Sequence, residues 1–447
     1  MNYQESFLTE FFEFLNKNTE YAVLRNFEGL PAHNNSRDID IAIEKHNYKR
    51  IRKGLLELIE QQNWYILTYL YSDRLVTWVC GHLGGDNTTD VIQLDFFYNT
   101  SVYGIELLPA HEILNRRKFS GMLYHACKED EFLDKYLYDR AVGEQYPEKY
   151  QKTRDAVMTS DVVKQKIRNV FGVNSIESCD KGNSRKMLLH ALFRQILKRP
   201  FYGIFPICVF LLYRIRNYLR SDTGFCIGFT GPDGVGKTTV IELFIRQLGD
   251  VFSKAHAYCH FRPMLFGNLG DVAHSAGLKK DVDHNYDMPH RGRKTGVLSS
   301  LFRLCYYSVD YILGYAIKVK TLTRMTYVVI FDRYYTDIIC DSHRTRVWLS
   351  YKFLYWFGRI FIPSLDYNIL LTADTDTILE RKRELSTNAV KEIKKRIDYL
   401  ANKPNFYKVN NNGRPVDAVQ EILSMVFERQ HERNKGKVYY EKGNALD

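Results

Sequence analysis

The sequence predicts an α/β protein in three consecutive parts: an α+β first domain, a helical connector, and a C-terminal parallel sheet flanked by helices. Three observations carry that prediction. At 447 residues the chain outruns what one hydrophobic core ordinarily serves, so two domains are the starting expectation. After Gly224, apolar strand-like runs alternate with amphipathic helical runs, the order that builds a parallel sheet. The charge is uneven as well. Residues 1–160 hold 18 Lys and Arg against 24 Asp and Glu, residues 161–223 hold 12 against 4, and residues 224–447 hold 33 against 24. Boundaries at 1–160, 161–223 and 224–447 follow these shifts.

In the first part, Glu5–Leu15 carries helical periodicity, and Tyr21–Leu24 and Ile39–Ile43 read as short strands. His46–Gln62 is an amphipathic helix. Strand-like runs follow at Trp64–Tyr71, Leu75–Cys80 and Val91–Phe97, and the turn-rich GHLGGDNTTD between the last two suits a hairpin. From Lys128 to about Leu197 the periodicity is helical. The uncharged run Pro200–Tyr213 spans 14 residues, contains Pro206, and is bounded by Lys198, Arg199, Arg214 and Arg216. About 20 apolar residues are needed to cross a bilayer, so this is not a spanning helix. Two readings stand for residues 200–216: a buried helix linking two domains, or an apolar patch with a basic collar in peripheral contact with a membrane. After Gly224 come the strand FCIGFT, a glycine loop and the helix VIELFIRQLG. The strand Thr326–Phe331, the strand Tyr367–Leu371 and the helix Thr375–Glu384 follow.

Composition removes several classes. Hydrophobic content of 45% with 26% charged residues is that of a folded chain, and 32 Tyr with 27 Phe favour β-rich cores and packed clefts. Eight cysteines without a CxxC pair or regular spacing argue against a zinc site and a secreted disulfide scaffold. The opening MNYQESFLTEFFEFL has Glu5, Glu10 and Glu13 and no basic n-region, so no secretory signal is expected and the cytoplasm is the expected compartment. The net charge of +11 would suit nucleic acid, but the acidic first third does not supply a basic binding face. His111, His260 and His343 do not fall at metal-ligand spacings.

The stretch GPDGVGKTT carries the chemistry. Gly231, Gly236, Lys237 and Thr238 satisfy the phosphate-loop pattern, with a strand before and a helix after. Glycines let main-chain N–H groups turn inward around an anion, and the following helix N-terminus adds a favourable dipole. Gly231, Gly234, Val235, Gly236, Lys237, Thr238 and Thr239 are the expected ATP-binding set. Lys237 would reach the β and γ phosphates, and the Thr238 hydroxyl would hold Mg²⁺. Asp233 is a carboxylate among phosphate-binding amides, which points it toward an acceptor hydroxyl rather than the donor.

GPDGVGKTT together with VVIFDRYY about 95 residues on resembles the thymidylate kinase family of nucleoside monophosphate kinases, over residues 224–425. The resemblance implies that Asp332 assists the Mg²⁺ and acceptor site, that Arg333 grips the acceptor's phosphate, and that Tyr334 completes the motif. It matches Asp233 to a loop acid that contacts the acceptor sugar. LERKRE falls where the family carries an arginine-bearing lid, so Arg381 and Arg383 become candidates for neutralising transition-state charge. Arg262 in HFRPMLF, Arg291 and Arg293 in MPHRGRKTG, and Arg344 and Arg346 in DRYYTDIICDSHRTRV resemble a divergent branch found among bacterial surface-polysaccharide genes. An arginine-rich acceptor side suits an anionic substrate, because the guanidinium fork matches phosphate. Taken singly, Arg291, Arg293, Arg344 and Arg346 also fit solvated surface charge.

In the first part, Asp38 and Asp40 lie one residue apart on a strand, so both side chains leave the same face. Adjacent carboxylates repel unless a cation sits between them, and Asp95 on another apolar strand supplies a third. That layout serves two-metal phosphoryl or nucleotidyl transfer. It resembles the nucleotidyltransferase superfamily that includes DNA polymerase β, with Ser36 near the usual serine; where that family has Gly-Ser, this chain has Leu24-Arg25-Asn26. An active nucleotidyltransferase, a degenerate binding domain and an unrelated acidic strand remain open. The function expected is an ATP- and Mg²⁺-dependent phosphotransferase acting on a nucleotide or sugar-phosphate-like small molecule, bifunctional if the first domain is active. The rival is an ATP-binding assembly or regulatory protein at a membrane surface in glycan synthesis.

Overall fold

Strand-like runs from the first 125 residues assemble into one mixed sheet. The strands are β1 (Tyr21–Val23), β2 (Asp38–Ile43), β3 (Tyr65–Tyr71), β4 (Leu75–Leu83), β5 (Thr89–Phe97), β8 (Lys118–Ser120) and β9 (Leu123–His125), in the order β3-β4-β5-β2-β1-β9-β8. β1 pairs antiparallel with β2 and parallel with β9, and β2 runs parallel to β5. β6 (Asn99–Val102) and β7 (Ile105–Pro109) form a separate ribbon. The computed structural model describes residues 3–85, 87–198, 200–220, 223–249, 252, 256–263, 296–382 and 385–440, without the side chains of 200–202, 217–220 and 440.

Strand alternation divides this sheet's two faces. Ile39, Ile41 and Ile43 join Phe7, Phe11, Leu55 and Trp78 in a core under the helices Tyr3–Asn18 and Lys45–Gln61. Ala22 and Ala42 point the other way, into a core with Phe132 and Tyr136 of the helix Lys128–Val142. Asp38 and Asp40 share the parity of Ala42 and so face that second side.

The chain forms two compact units. The first comprises residues 1–84, 90–221 and 430–447, and the second residues 85–89 and 222–429. The 161–223 segment expected as a connector is therefore corrected: up to residue 221 it belongs to the first unit. Its helices use their apolar faces there, with Val163, Ile167, Met187 and Ala191 in the second core and Tyr213 in the first. The expected C-terminal boundary is corrected too. The helix Pro415–Tyr440 starts in the second unit and ends in the first, where Val438 is buried.

The second unit is a parallel sheet flanked by helices. β10 (Phe225–Thr230), β11 (His256–His260), β12 (Val328–Asp332), β13 (Tyr367–Thr372) and β14 (Phe406–Asn410) run parallel in the order β11-β12-β10-β13-β14. β10, β12 and β13 are buried along their whole length, as continuous apolar runs in a sheet covered on both faces must be. The chain leaves central β10 for β11 and β12 on one side and reaches β13 and β14 on the other. That reversal opens a crevice at the carboxyl end of β10, the place where open α/β sheets bind ligands.

Candidate functional site

Loop 231–236 leaves β10 at that switch point and feeds the helix Lys237–Gln247. Gly234 and Gly236 have φ of +88° and +89°, in the left-handed region that a side chain disfavours. A Cβ on Gly234 would fall 2.7 Å from the Ile378 carbonyl oxygen, and one on Gly236 would fall 2.7 Å from Asn411 Nδ2. Asn411 Nδ2 donates to the Val235 carbonyl at 2.7 Å and so fixes the loop from the end of β14. Gly236 is the helix N-cap and brings no side chain to its first-turn N–H groups. These donors, with the helix dipole, suit an anion. Thr238 and Thr239 are exposed on the first turn.

Strand register brings the next groups in. Asp332 ends β12 beside Phe229 of β10 and His260 of β11. Its Oδ1 is ion-paired with Lys237 Nζ, and its Oδ2 accepts from the Tyr258 hydroxyl at 2.8 Å. Burial works to raise the Asp332 carboxyl, but Lys237 and Tyr258 override it and hold the group below its ordinary range. Lys237 is pushed below an ordinary lysine by burial and by the Arg333 guanidinium. The loop lysine thus has its carboxylate partner, and burial is the larger part of its downward shift.

Arg333 follows with φ of +71°, a strained position for a residue with a side chain, and its N–H donates to Phe229 O at 2.9 Å. Its guanidinium donates to Asp233 Oδ1 at 2.7 Å and to Asp337 Oδ1 at 2.7 Å. Arg344 binds the other oxygen of Asp233, and its own N–H donates to Asp341 Oδ1 at 3.1 Å. Two guanidinium groups thus converge on one carboxylate in the phosphate loop. From the other side, Arg381 Nη1 donates to Asn411 O at 3.0 Å and would lie 3.8 Å from a Cβ on Gly236.

Several expected residues lie elsewhere. Tyr334, expected among the substrate-binding residues, packs its ring on Phe331 and Tyr311 at 3% exposure, and its hydroxyl donates to Pro363 O at 2.8 Å. Arg262 is 3% exposed and paired with fully buried Asp310 at 2.9 Å. Arg346 sits at the C-cap of the short helix Ser342–Thr345 with φ of +53°. Arg383, Arg291 and Arg293 fall outside the described residues.

In the first unit, Asp38, Asp40 and Asp95 each offer a carboxylate oxygen within 4.8 Å of the others, and Asp40 is the register partner of Asp95. Ser36 Oγ donates to Asp38 at 3.1 Å. Thr77 and Gln93 donate to the two oxygens of Asp95. Arg25 bridges Asp40 at 2.7 Å and Asp134 at 2.9 Å, so the guanidinium standing where Gly-Ser was sought lies against the acids themselves. Burial pushes Asp40 up to about 6, with Arg25 opposing, and pushes Asp95 up to about 7, with the Asp40 charge adding to it. Protein groups alone leave this cluster short of positive charge, which is the chemistry a divalent cation fits.

Sequence reasoning missed Tyr258, Asp337, Asp341 and Asn411 in the second unit, and Asp134 and Thr77 in the first. Only Asp337 had a local signal, an acid four residues after Arg333 at the start of the helix Tyr335–Cys340. No protein-family model matches the chain, and no curated protein matches it. Among solved structures it is similar to the thymidylate kinase of Candida albicans, at 19% identity and a TM-score of 0.34 over 46% of this chain and 93% of that one. It is also similar to the thymidylate kinase of Ehrlichia chaffeensis, at 15% identity and a TM-score of 0.30 over 45% of this chain and 98% of that one.

Proposed function

We propose that the second unit transfers the terminal phosphate of ATP to a small acceptor carrying its own phosphate, a nucleotide or a sugar phosphate. The observation that carries this reading is the convergence of Arg333 and Arg344 on Asp233, beside the Lys237–Asp332 pair. A fork of two arginines fits a phosphate dianion, and here it sits at the carboxyl end of the sheet next to a glycine-built anion cradle. The loop N–H groups and Lys237 hold the donor phosphates, and Arg381 adds positive charge on the side of Gly236. Thr238 and ionised Asp332 would hold Mg²⁺, which screens the phosphate charge when bound. An acceptor phosphate on Arg333 and Arg344 releases Asp233 to receive a hydrogen bond from the acceptor's hydroxyl. Catalysis here is positioning and charge neutralisation.

The test incubates the full chain with labelled ATP, Mg²⁺ and a panel of nucleotides, sugar phosphates and polyols, with product masses read. A phosphorylated product from a phosphate-bearing acceptor is expected, and Lys237→Ala should lower its rate by about 10²–10³-fold, the usual cost of removing one such charge contact. A folded, ATP-binding protein that labels nothing in the panel would sink the reading and favour the ATP-binding assembly role.

For the first unit, the three clustered acids support a divalent-cation site of the nucleotidyl-transfer kind, held by Asp38, Asp40 and Asp95. The same reaction mixtures test it: an acceptor gaining a nucleoside monophosphate mass, lost in Asp40→Asn, is the expected result.

A further inference from the structure

Among the described residues no single helix is long and apolar enough to cross a membrane, but Ser184–Lys198 and Gly203–Arg216, the latter within the helix Pro200–Arg220, form a bent pair turning through 120°. One face of the pair is committed to the first unit. Met187 and Ala191 enter one core and Tyr213 the other, and Val209 packs beside it. Gln195 staples the bend, donating to Gly203 O at 2.7 Å and accepting from the Glu106 N–H at 2.9 Å.

The opposite face is apolar and open. Leu189, Phe193 and Leu197 recur every four residues along the first helix, at 63%, 67% and 67% exposure. Ile204, Cys208, Leu211 and Ile215 repeat at helical spacing along the second, all exposed. Within the hairpin itself the charge has one sign. Residues 184–220 hold eight Lys and Arg and no Asp or Glu. Lys198 and Arg214 are exposed at the margins, and Arg214 lies over the Phe210 ring.

We infer that this helical hairpin seats the first unit on an anionic lipid surface, its apolar stripes entering the acyl boundary and its basic residues meeting headgroup phosphates. Two facts favour lipid over a protein partner: exposed apolar stripes run along both helices of the bent pair, and residues 184–220 themselves contain no acid, the nearest being Glu106, Glu112 and Asp73 on the elements beside them. A protein interface of this area ordinarily mixes signs at its rim, whereas interfacial helices pair an apolar face with Lys and Arg. The inference is independent of phosphotransfer, since neither helix carries a residue of the proposed catalytic set.

Flotation of the full chain with vesicles tests it, comparing pure phosphatidylcholine with phosphatidylcholine containing about one third phosphatidylglycerol. At least a tenfold preference for the anionic vesicles is expected. Phe193→Glu with Leu211→Glu should abolish flotation while circular dichroism stays unchanged, since both side chains are exposed in the free protein. Lys198→Glu with Arg214→Glu should remove the anionic preference. In a Cys305→Ser background, an environment-sensitive probe on Cys208, the other exposed cysteine, should shift to the blue on vesicles. Equal flotation of wild type and Phe193→Glu/Leu211→Glu overturns the inference. So does a wild-type dimer that this variant turns into a monomer while neither binds vesicles, because the face then belongs to a second copy.

Discussion

Arg333 concentrates the physics of the second unit in one residue. Its left-handed backbone costs about 1–2 kcal/mol for a residue with a Cβ, and its guanidinium is 5% exposed. Asp337 and Asp233 hold that charge in place, and they outweigh burial to raise its pKa above an ordinary arginine's. Asp337→Ala should therefore destabilise the unit by about 3–5 kcal/mol, the cost of stranding one member of a buried pair. Chemical denaturation checks this, and a loss under about 1 kcal/mol would show that Asp233 alone satisfies Arg333. The first unit makes the opposite kind of prediction. Asp40 at about 6 and Asp95 at about 7 stand above the ordinary 3.8, so the folded state binds their protons more tightly than the unfolded chain. Their contribution is fully present below pH 3.8 and is lost as pH rises through 6 to 7. Without divalent cations the first unit should lose on the order of a few kcal/mol over that window. Asp95→Asn should flatten the loss, and Mg²⁺ should stabilise more at alkaline than at acid pH. Urea titrations across the window decide it, and a stability that rises with pH in the metal-free protein would refute the charge deficit. The sequence showed the acids through their alternation, but Asp134 reaches Arg25 from a helix 109 positions away, and no local pattern encodes such a pairing.

At the scale of elements, legibility tracked how completely burial dictates residue type. β10, β12 and β13 read as strands because every position is buried and most are apolar. β11 and β14, HAYCH and FYKVN, are edge strands with mixed exposure, and their residues follow neither a continuous nor an alternating pattern. Pro206 reads as an interruption, yet the helix Pro200–Arg220 continues through it. Proline removes one intrahelical hydrogen bond, and packing of Tyr213 and Val209 against the core offsets that local loss. The phosphate loop was the most legible element, because its glycines answer to backbone geometry rather than to packing. Gly236→Ala tests that reading. An added Cβ meets a φ of +89° and Asn411 Nδ2 at 2.7 Å, so the loop must give up either its conformation or its tie to Val235. ATP affinity should fall at least about tenfold, a loss of roughly 1.4 kcal/mol. Gly413→Ala is the control, since its Cβ would approach only Asp417 Oδ2, at 3.9 Å. Titration of ATP into both variants checks the pair; equal affinities would mean that the cradle does not depend on this backbone.

For the whole molecule the decisive feature is that the chain does not end in the unit where its last helix begins. β3 is an edge strand of the first sheet, and its pairing with β4 slips between Ile66 and Thr68, freeing backbone groups there. The C-terminal helix satisfies them. The Ile66 N–H donates to His431 Nδ1 at 3.1 Å, which leaves the ring proton on Nε2, 3.0 Å from Glu60 Oε1. Asn434 Nδ2 donates to Ile66 O at 3.2 Å and to Leu67 O at 3.0 Å, and Val438 completes the core. An uncovered strand edge with free donors and acceptors is a template for aggregation, so the end of this helix protects the first unit. Nothing in the sequence marks this role, because the partners lie more than 360 positions apart and the helix itself reads as ordinary. Ending the chain after Arg429 should therefore damage the first unit and spare the second. The truncated protein should aggregate on warming and lose Mg²⁺-dependent stabilisation, while ATP still shifts the melting of the second unit. Asn434→Ala is the milder version, expected to cost about 1–3 kcal/mol by stripping two buried carbonyls of their donor. Calorimetry with and without ATP separates the two transitions. If truncation instead lowers the ATP-sensitive transition and leaves the other untouched, the last helix belongs to the second unit in energy, whatever its path in space.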